Sequence, residues 1–135
     1  MKTFLMLTAA IIVALGFGAV QAQEMTLEGA RVLLTEVAGT SDCQEPTNVP
    51  PIPDGTTSTE PEMLAAIAAF QDYEAASEEY RDCLDAAAQD ASGNITDQQN
   101  QAVSIVHDAN ATQIETLGEQ VNEQIRAFNI ANPDS

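Results

Sequence analysis

Apolar and compact residues recur every three or four positions over two long stretches of the chain. The members of the first stretch are Met63, Ile67, Phe70, Tyr73, Ser77, Tyr80, Leu84 and Ala87. The members of the second are Val103, Val106, Asn110, Ile114, Leu117, Val121, Ile125 and Phe128. This spacing places the members of each stretch on one face of a helix. The pattern therefore predicts two amphipathic helices of about 30 residues, each about 45 Å long.

The starts of both predicted helices are marked by capping residues. Thr59 followed three residues later by Glu62 has the spacing of a capping box. Thr96 followed by Gln99 repeats it. Gly93 lies between the two helices and suits a left-handed helix end. Because the connection is only about six residues long, we expect the helices to be antiparallel neighbours.

Residues 59–132 are thus predicted to form an all-α, antiparallel two-helix hairpin that resembles a coiled coil. Ser77 and Asn110 are polar residues in the middle of the two apolar stripes. A buried Asn at such a position can fix the register of the helices at a cost in stability. A small rotation of the helix would instead place Asn110 at the edge of the seam, and the sequence favours neither arrangement.

Residues 23–58 form an N-terminal segment whose first part is ambiguous. Residues 26–38 fit a short helix with Thr26 as its cap and Gly39 at its end, while Val32–Val37 fits a strand equally well. We predict the helix. Further on, four prolines within residues 46–53 exclude helix and favour an extended, polyproline-like strap, and Gly55 completes a turn. The strap is predicted to lie along a helix; the alternative is a ligand for a proline-binding domain.

The first 22 residues have the three-part pattern of a secretory signal peptide. Lys2 supplies a positive charge, residues 4–20 form an apolar run of 17 residues, and small residues precede the predicted cleavage between Ala22 and Gln23. The alternative is an uncleaved membrane anchor, but the run is shorter than the roughly 20 residues that cross a bilayer. We therefore expect export and no stable membrane insertion after cleavage.

Cys43 and Cys83 are the only cysteines of the chain. Export places them in an oxidising compartment, where a structural disulfide is expected. The loop has 39 residues between the cysteines, and its closure would stabilise the fold by about 4 kcal/mol on the chain-entropy model. Free thiols or an intermolecular disulfide are the alternatives, and a redox-active pair would need the Cys-x-x-Cys spacing that is absent.

Charge excludes two classes of partner. The chain has four basic and 21 acidic residues. Lys2 would leave with the signal peptide, which leaves three basic against 21 acidic residues and a net charge of −18. Such a surface repels phosphate backbones and anionic lipid headgroups. We therefore expect no binding to nucleic acid and no charge-driven binding to a membrane surface.

No motif in the sequence predicts a catalytic, cofactor or metal site. Pairs of carboxylates at helical spacing fall on faces expected to be solvated. The oxygen-rich stretch that begins at Asp90 has Ile95 and Gln101 where an EF-hand needs Gly and Glu. His107 is the only histidine, so a zinc site of usual composition cannot form around it. The sequence therefore favours a protein that is not an enzyme.

One segment resembles a group of known proteins. The elements that carry the resemblance are Cys43-x-x-Pro46, Pro50, Pro53-x-Gly55, Met63, Tyr80-x-x-Cys83-Leu84 and the closing stretch Val121–Phe128. Together they resemble small exported proteins of proteobacteria with no assigned function, over residues 43–130. The resemblance implies a Gram-negative periplasmic location and transfers no functional residue.

These observations leave two main hypotheses for function. The first is a non-enzymatic periplasmic interaction or structural protein, which binds a protein partner or a second copy to form a four-helix bundle. The second is an acidic binder of cations, such as calcium, or of cationic peptides. Its densest carboxylate cluster comprises Glu74, Glu78, Glu79, Asp82 and Asp85. An enzyme with a cleft around His107 is a third, less favoured, interpretation.

Overall fold

The computed structural model describes residues 24–134, which contain three α-helices and no strand. Helix α1 comprises Leu27–Leu34, α2 comprises Glu60–Asp90 and α3 comprises Asp97–Ala131. A single 3-10 turn, Thr40–Asp42, follows α1. The predicted signal peptide and its cleavage between Ala22 and Gln23 lie outside the described residues.

The antiparallel hairpin of α2 and α3 is confirmed. The two helices pack against each other along the predicted stripes. Buried stripe residues are Met63, Tyr73, Ser77, Tyr80, Leu84 and Ala87 on α2, and Val103, Val106, Asn110, Ile114, Val121 and Phe128 on α3. The other members of the stripes are half-buried.

Both predicted capping boxes are present. The Thr59 N–H donates to Glu62 Oε2 at 2.7 Å, and the Thr96 N–H donates to Gln99 Oε1 at 2.9 Å. Each bond satisfies a backbone donor that a helix start would otherwise leave without a partner. Gly93 between the helices has a φ of 92°, the left-handed conformation that glycine adopts without steric cost.

The N-terminal ambiguity is resolved in favour of helix, but α1 is shorter than predicted and ends at Leu34 rather than at Ala38. The carbonyls at its end have both backbone and side-chain partners. The Thr35 N–H and hydroxyl both donate to the Val32 carbonyl. The Val37 N–H and the Thr40 hydroxyl both donate to the Leu34 carbonyl. A tightened last turn and the two hydroxyls thus satisfy the helix end without a further helical turn.

Helix α1 packs on α3 near the connection between the two long helices. There it closes the main hydrophobic cluster, which comprises Ala30, Leu34, Tyr80, Leu84, Ala102, Val103 and Val106. The half-buried ion pair of Arg31 with Glu45 ties α1 to the strap, with Arg31 Nη2 at 2.5 Å from Glu45 Oε1. This hydrogen-bonded carboxylate raises the pKa of the Arg31 guanidinium above its ordinary value.

The strap comprises residues 43–55 and has no regular secondary structure. Its first residue is joined to α2 by the Cys43–Cys83 disulfide, with the two Cα atoms 5.5 Å apart. Its last residue, Gly55, donates its N–H to Gln124 Oε1 of α3 at 2.9 Å. The intramolecular disulfide predicted from the sequence is confirmed, and the strap is attached at both ends to the hairpin.

The strap runs along α2 in the opposite direction to the helix. From Cys43 to Pro53 the chain advances ten residues, or about 31 Å in polyproline geometry. That distance equals the rise of about 21 helical residues, which leads from Cys83 back to Glu62. The strap therefore lies along a helix, as predicted. Helix α1 and the strap together cover one side of the hairpin.

Candidate functional site

Polar side chains meet in the middle of the seam between α2 and α3. Asn110 is only 4% exposed, and its Oδ1 accepts a hydrogen bond from Arg81 Nη1 at 2.8 Å. The sequence favoured neither a buried position of Asn110 in the seam nor a position at its edge. The structure shows the buried position. Ser77 is fully buried in the same seam. The bond from Arg81 to Asn110 joins the two helices, whereas the Ser77 hydroxyl has no hydrogen-bond partner among the described residues.

His107 is half-buried at the edge of the seam. Its Nε2 is 3.8 Å from Asp85 Oδ2 of α2, and its Nδ1 is 3.5 Å from Asp108 Oδ1. Both of these neighbours are exposed carboxylates on the surface of the hairpin. The structure therefore adds nothing to the interpretation of a catalytic cleft around His107.

The carboxylates do not assemble into a metal site within residues 24–134. No group of three His, Cys, Asp or Glu side chains there is arranged to hold a metal ion. All five members of the densest acidic cluster, Glu74, Glu78, Glu79, Asp82 and Asp85, are exposed on the surface of α2. Asp90 and Asn94 of the calcium-like stretch instead line an open groove of about 460 Å³ beside Val37.

The strongest candidate site is an apolar groove between the strap and the first half of α2, which we name the strap groove. It has a volume of about 330 Å³. Its lining residues are Pro51, Ile52, Pro53, Glu62, Ala65, Ala66 and Ala69. Small alanine side chains on the helix face rigid proline rings on the strap, so neither wall fills the space between them.

The strap wall of this groove has almost no backbone hydrogen-bond donor. Proline has no backbone N–H, so Pro51 and Pro53 bring none to the lining. Within residues 50–53, Ile52 alone has a backbone donor. A group that binds along this wall by hydrogen bonds must therefore supply the donors itself.

Carboxylates lie at the open end of the hairpin beside the strap groove. The Thr56 side chain and N–H both hydrogen-bond Asp54 Oδ1 and lower the pKa of that carboxyl. The Thr59 N–H and hydroxyl lower the pKa of Glu62 in the same way. Because these hydrogen bonds favour the charged form, both carboxyl groups stay ionised at pH values below the ordinary pKa of a carboxyl.

Two further apolar side chains are exposed on the elements that form the strap groove. Val49 on the strap is 47% exposed, and Leu64 on α2 is 59% exposed. Scattered apolar residues are ordinary on a protein surface. Neither residue is among those that line the strap groove, so the apolar surface of the site is that of the groove itself.

Comparison of the chain with protein-family models, with curated proteins and with solved structures gives no match. The resemblance to exported proteobacterial proteins therefore stays a prediction. No helix within residues 24–134 has the length and apolar character needed to cross a bilayer.

The strap groove was not predicted from the sequence, although its two walls were. The prolines predicted an extended strap and the stripe predicted α2, but the sequence did not determine on which side of α2 the strap lies. A signal was present in the run Ala65–Ala66, Ala68–Ala69, because small residues in a helix leave room for a neighbouring chain.

Proposed function

We propose that this chain is an exported, non-enzymatic interaction protein of the Gram-negative periplasm, and that the strap groove is where it binds a protein partner. The observation that carries the proposal is that this apolar groove is open to solvent while its outer wall is anchored at both ends. The disulfide fixes the strap at Cys43, and Gln124 holds it at Gly55. An anchored groove loses little conformational freedom when it binds.

The signal-peptide pattern and the resemblance to exported proteins support the location. The contacts of α1 and the strap with the hairpin also bear on the kind of partner. They bury much of the apolar surface on one side of α2 and α3, so the stripes themselves are no longer the surface offered to a second molecule. The strap groove remains exposed and is the better candidate.

Photo-crosslinking in the native host tests the proposal. A photoreactive amino acid at Ala69, an exposed groove residue, should give a discrete crosslinked product. The same amino acid at Ala75, exposed on α2 outside the groove lining, is the matched control. We expect the product at position 69 and not at 75. Equal products at both positions, or none at either, would contradict the proposal.

The second candidate function, binding of cations or cationic peptides, is supported by the excess of acidic over basic residues and by the exposed carboxylates of α2. Calcium titration calorimetry at low and at physiological salt tests its metal part. Heat of binding that persists at physiological salt would favour it, whereas heat seen only at low salt would indicate unspecific charge attraction.

A further inference from the structure

We infer that the strap groove binds a basic polypeptide segment that inserts a branched apolar side chain between the strap and α2. This inference rests on the proposed function and names the chemistry of the partner. It follows from the apolar lining of the groove and from the charge around it.

The lining determines what enters the groove. Apart from Glu62, every lining residue is proline, isoleucine or alanine. Burial of apolar surface against these residues favours an aliphatic side chain. A polar side chain in the same position would lose its water and find only the carboxylate of Glu62 as a partner among the lining side chains.

The charge around the lining determines what surrounds the inserted side chain. Glu62 is the one charged lining residue, and its Oε2 already accepts from the N–H and the hydroxyl of Thr59. Asp54 follows the strap wall directly, and Asp72 lies one helical turn beyond Ala69. No arginine or histidine lines the groove. Lysine and arginine side chains supply the donors and the opposite charge that this rim lacks.

A second copy of the chain is a poorer occupant than a basic partner. Within residues 24–134 the chain has three arginines and 21 acidic residues. Arg31 is paired with Glu45, and Arg81 donates to Asn110. Because two of the three arginines are thus engaged within the fold, a second copy offers mainly carboxylates to an acidic rim. Like charges repel at close range.

Peptide binding to the mature, disulfide-bonded protein tests the inference. Three short labelled peptides of equal length alternate arginine with leucine, arginine with serine, and glutamate with leucine. Fluorescence anisotropy at about 0.15 M salt, where the Debye length is about 8 Å, gives each Kd. We expect the arginine–leucine peptide to bind at least tenfold more tightly than the other two.

Two substitutions of equal charge locate the binding. Ala69→Lys places a cation in the groove, whereas Ala75→Lys places it at an exposed position of α2 that lies outside the lining. We expect A69K to weaken arginine–leucine binding about tenfold and A75K to leave it within about twofold. Ala65→Lys, a second exposed groove position, should repeat the loss, and circular dichroism should show an unchanged helix content in all three variants.

The inference is overturned if the arginine–serine peptide binds as tightly as the arginine–leucine peptide, if A69K and A75K have equal effects, or if no peptide binds. It is also overturned if light scattering shows that the groove variants dissociate a dimer. These outcomes are separable from failure of the proposed function. A position-specific crosslink at Ala69 together with no peptide binding would contradict the inferred chemistry of the partner and leave the groove as the proposed protein-binding site.

Discussion

Ser77 presents a fully buried hydroxyl in the seam between α2 and α3. Among the residues that the structure describes, its Oγ is the one buried side-chain polar atom without a hydrogen-bond partner. Asn110, in the same seam, accepts a bond from Arg81. An unsatisfied buried hydroxyl destabilises a fold, whereas a satisfied buried amide restricts how two helices can align. The two polar residues therefore have different consequences: the Ser77 hydroxyl destabilises the seam, whereas Asn110 fixes its register.

Replacing Ser77 by alanine is expected to stabilise the protein. The substitution removes a desolvated hydroxyl and improves helix propensity, so the free energy of unfolding should rise by about 1 kcal/mol. Urea unfolding followed by circular dichroism measures it. Ser104→Ala, at an exposed position of α3, is the control and should change stability by less than about 0.5 kcal/mol. A destabilised S77A would mean that Ser77 has a partner in solution.

Gly55 is required by the close approach of the strap to α3. A Cβ atom at this position would lie 2.0 Å from the Gln124 carbonyl oxygen and 2.9 Å from the Phe128 nitrogen. Gly55→Ala should therefore lower the free energy of unfolding by about 2 to 3 kcal/mol. At Gly118, a Cβ would meet only the tip of Phe70 at 3.3 Å, so Gly118→Ala should change stability by no more than about 1 kcal/mol. Equal effects would contradict the close approach.

At the scale of the elements, the helices were predictable and their arrangement was only partly so. The period of the stripes and the capping boxes at Thr59 and Thr96 determine where α2 and α3 form, because both signals act within a few residues. At the end of α1, the Leu34 carbonyl accepts a bond from the hydroxyl of Thr40, six residues away. The strap groove depends on which side of α2 the strap follows. Contacts between distant segments decide such features, and no local pattern encodes them.

The capping box of α2 should make stability depend on pH. Because hydrogen bonds from Thr59 lower the pKa of Glu62 in the folded state, its contribution is present above the unfolded pKa of about 4.3 and is lost as pH falls through the folded value. Glu62→Gln should therefore lower the urea midpoint at neutral pH and have little effect near pH 2. Glu60→Gln, in the same turn, is the control. A pH-independent effect of E62Q would contradict the role of the charge.

The disulfide should determine whether the strap stays on α2. Cys43→Ala with Cys83→Ala removes the closed loop and is expected to lower the free energy of unfolding by about 4 kcal/mol on the chain-entropy model. The seam of α2 and α3 does not involve the cysteines, so helix content should persist while amide exchange in the strap accelerates. Reductant should destabilise the native protein and leave the double variant unchanged. Wild-type stability in the double variant would contradict this role.

At the scale of the whole molecule, charge opposes compactness. The formal net charge is −17, and consecutive turns of α2 place Glu74, Glu78 and Asp82 four residues apart, where like charges repel. The same excess of acid that we propose to attract a basic partner therefore destabilises the free protein.

Salt should consequently stabilise the protein. Raising the salt from about 0.02 M to about 0.5 M shortens the Debye length and weakens the repulsion, so the urea midpoint should rise. Glu78→Lys converts two repulsive pairs into attractive ones and should add about 0.5 to 1 kcal/mol at low salt. At high salt this gain should shrink. A salt-independent midpoint would show that self-repulsion contributes little.

The contact of α1 with α3 has a consequence for the order of events during synthesis. A ribosome makes α1 and the strap before the helices on which they pack. The strap and Cys43 find their surface and their second thiol once α2 has been made, whereas Leu34 has no α3 to pack against until the residues after Asp97 follow. The packing of α1 must therefore wait for the C-terminal helix, so the first-made helix is the last of the three to find its place.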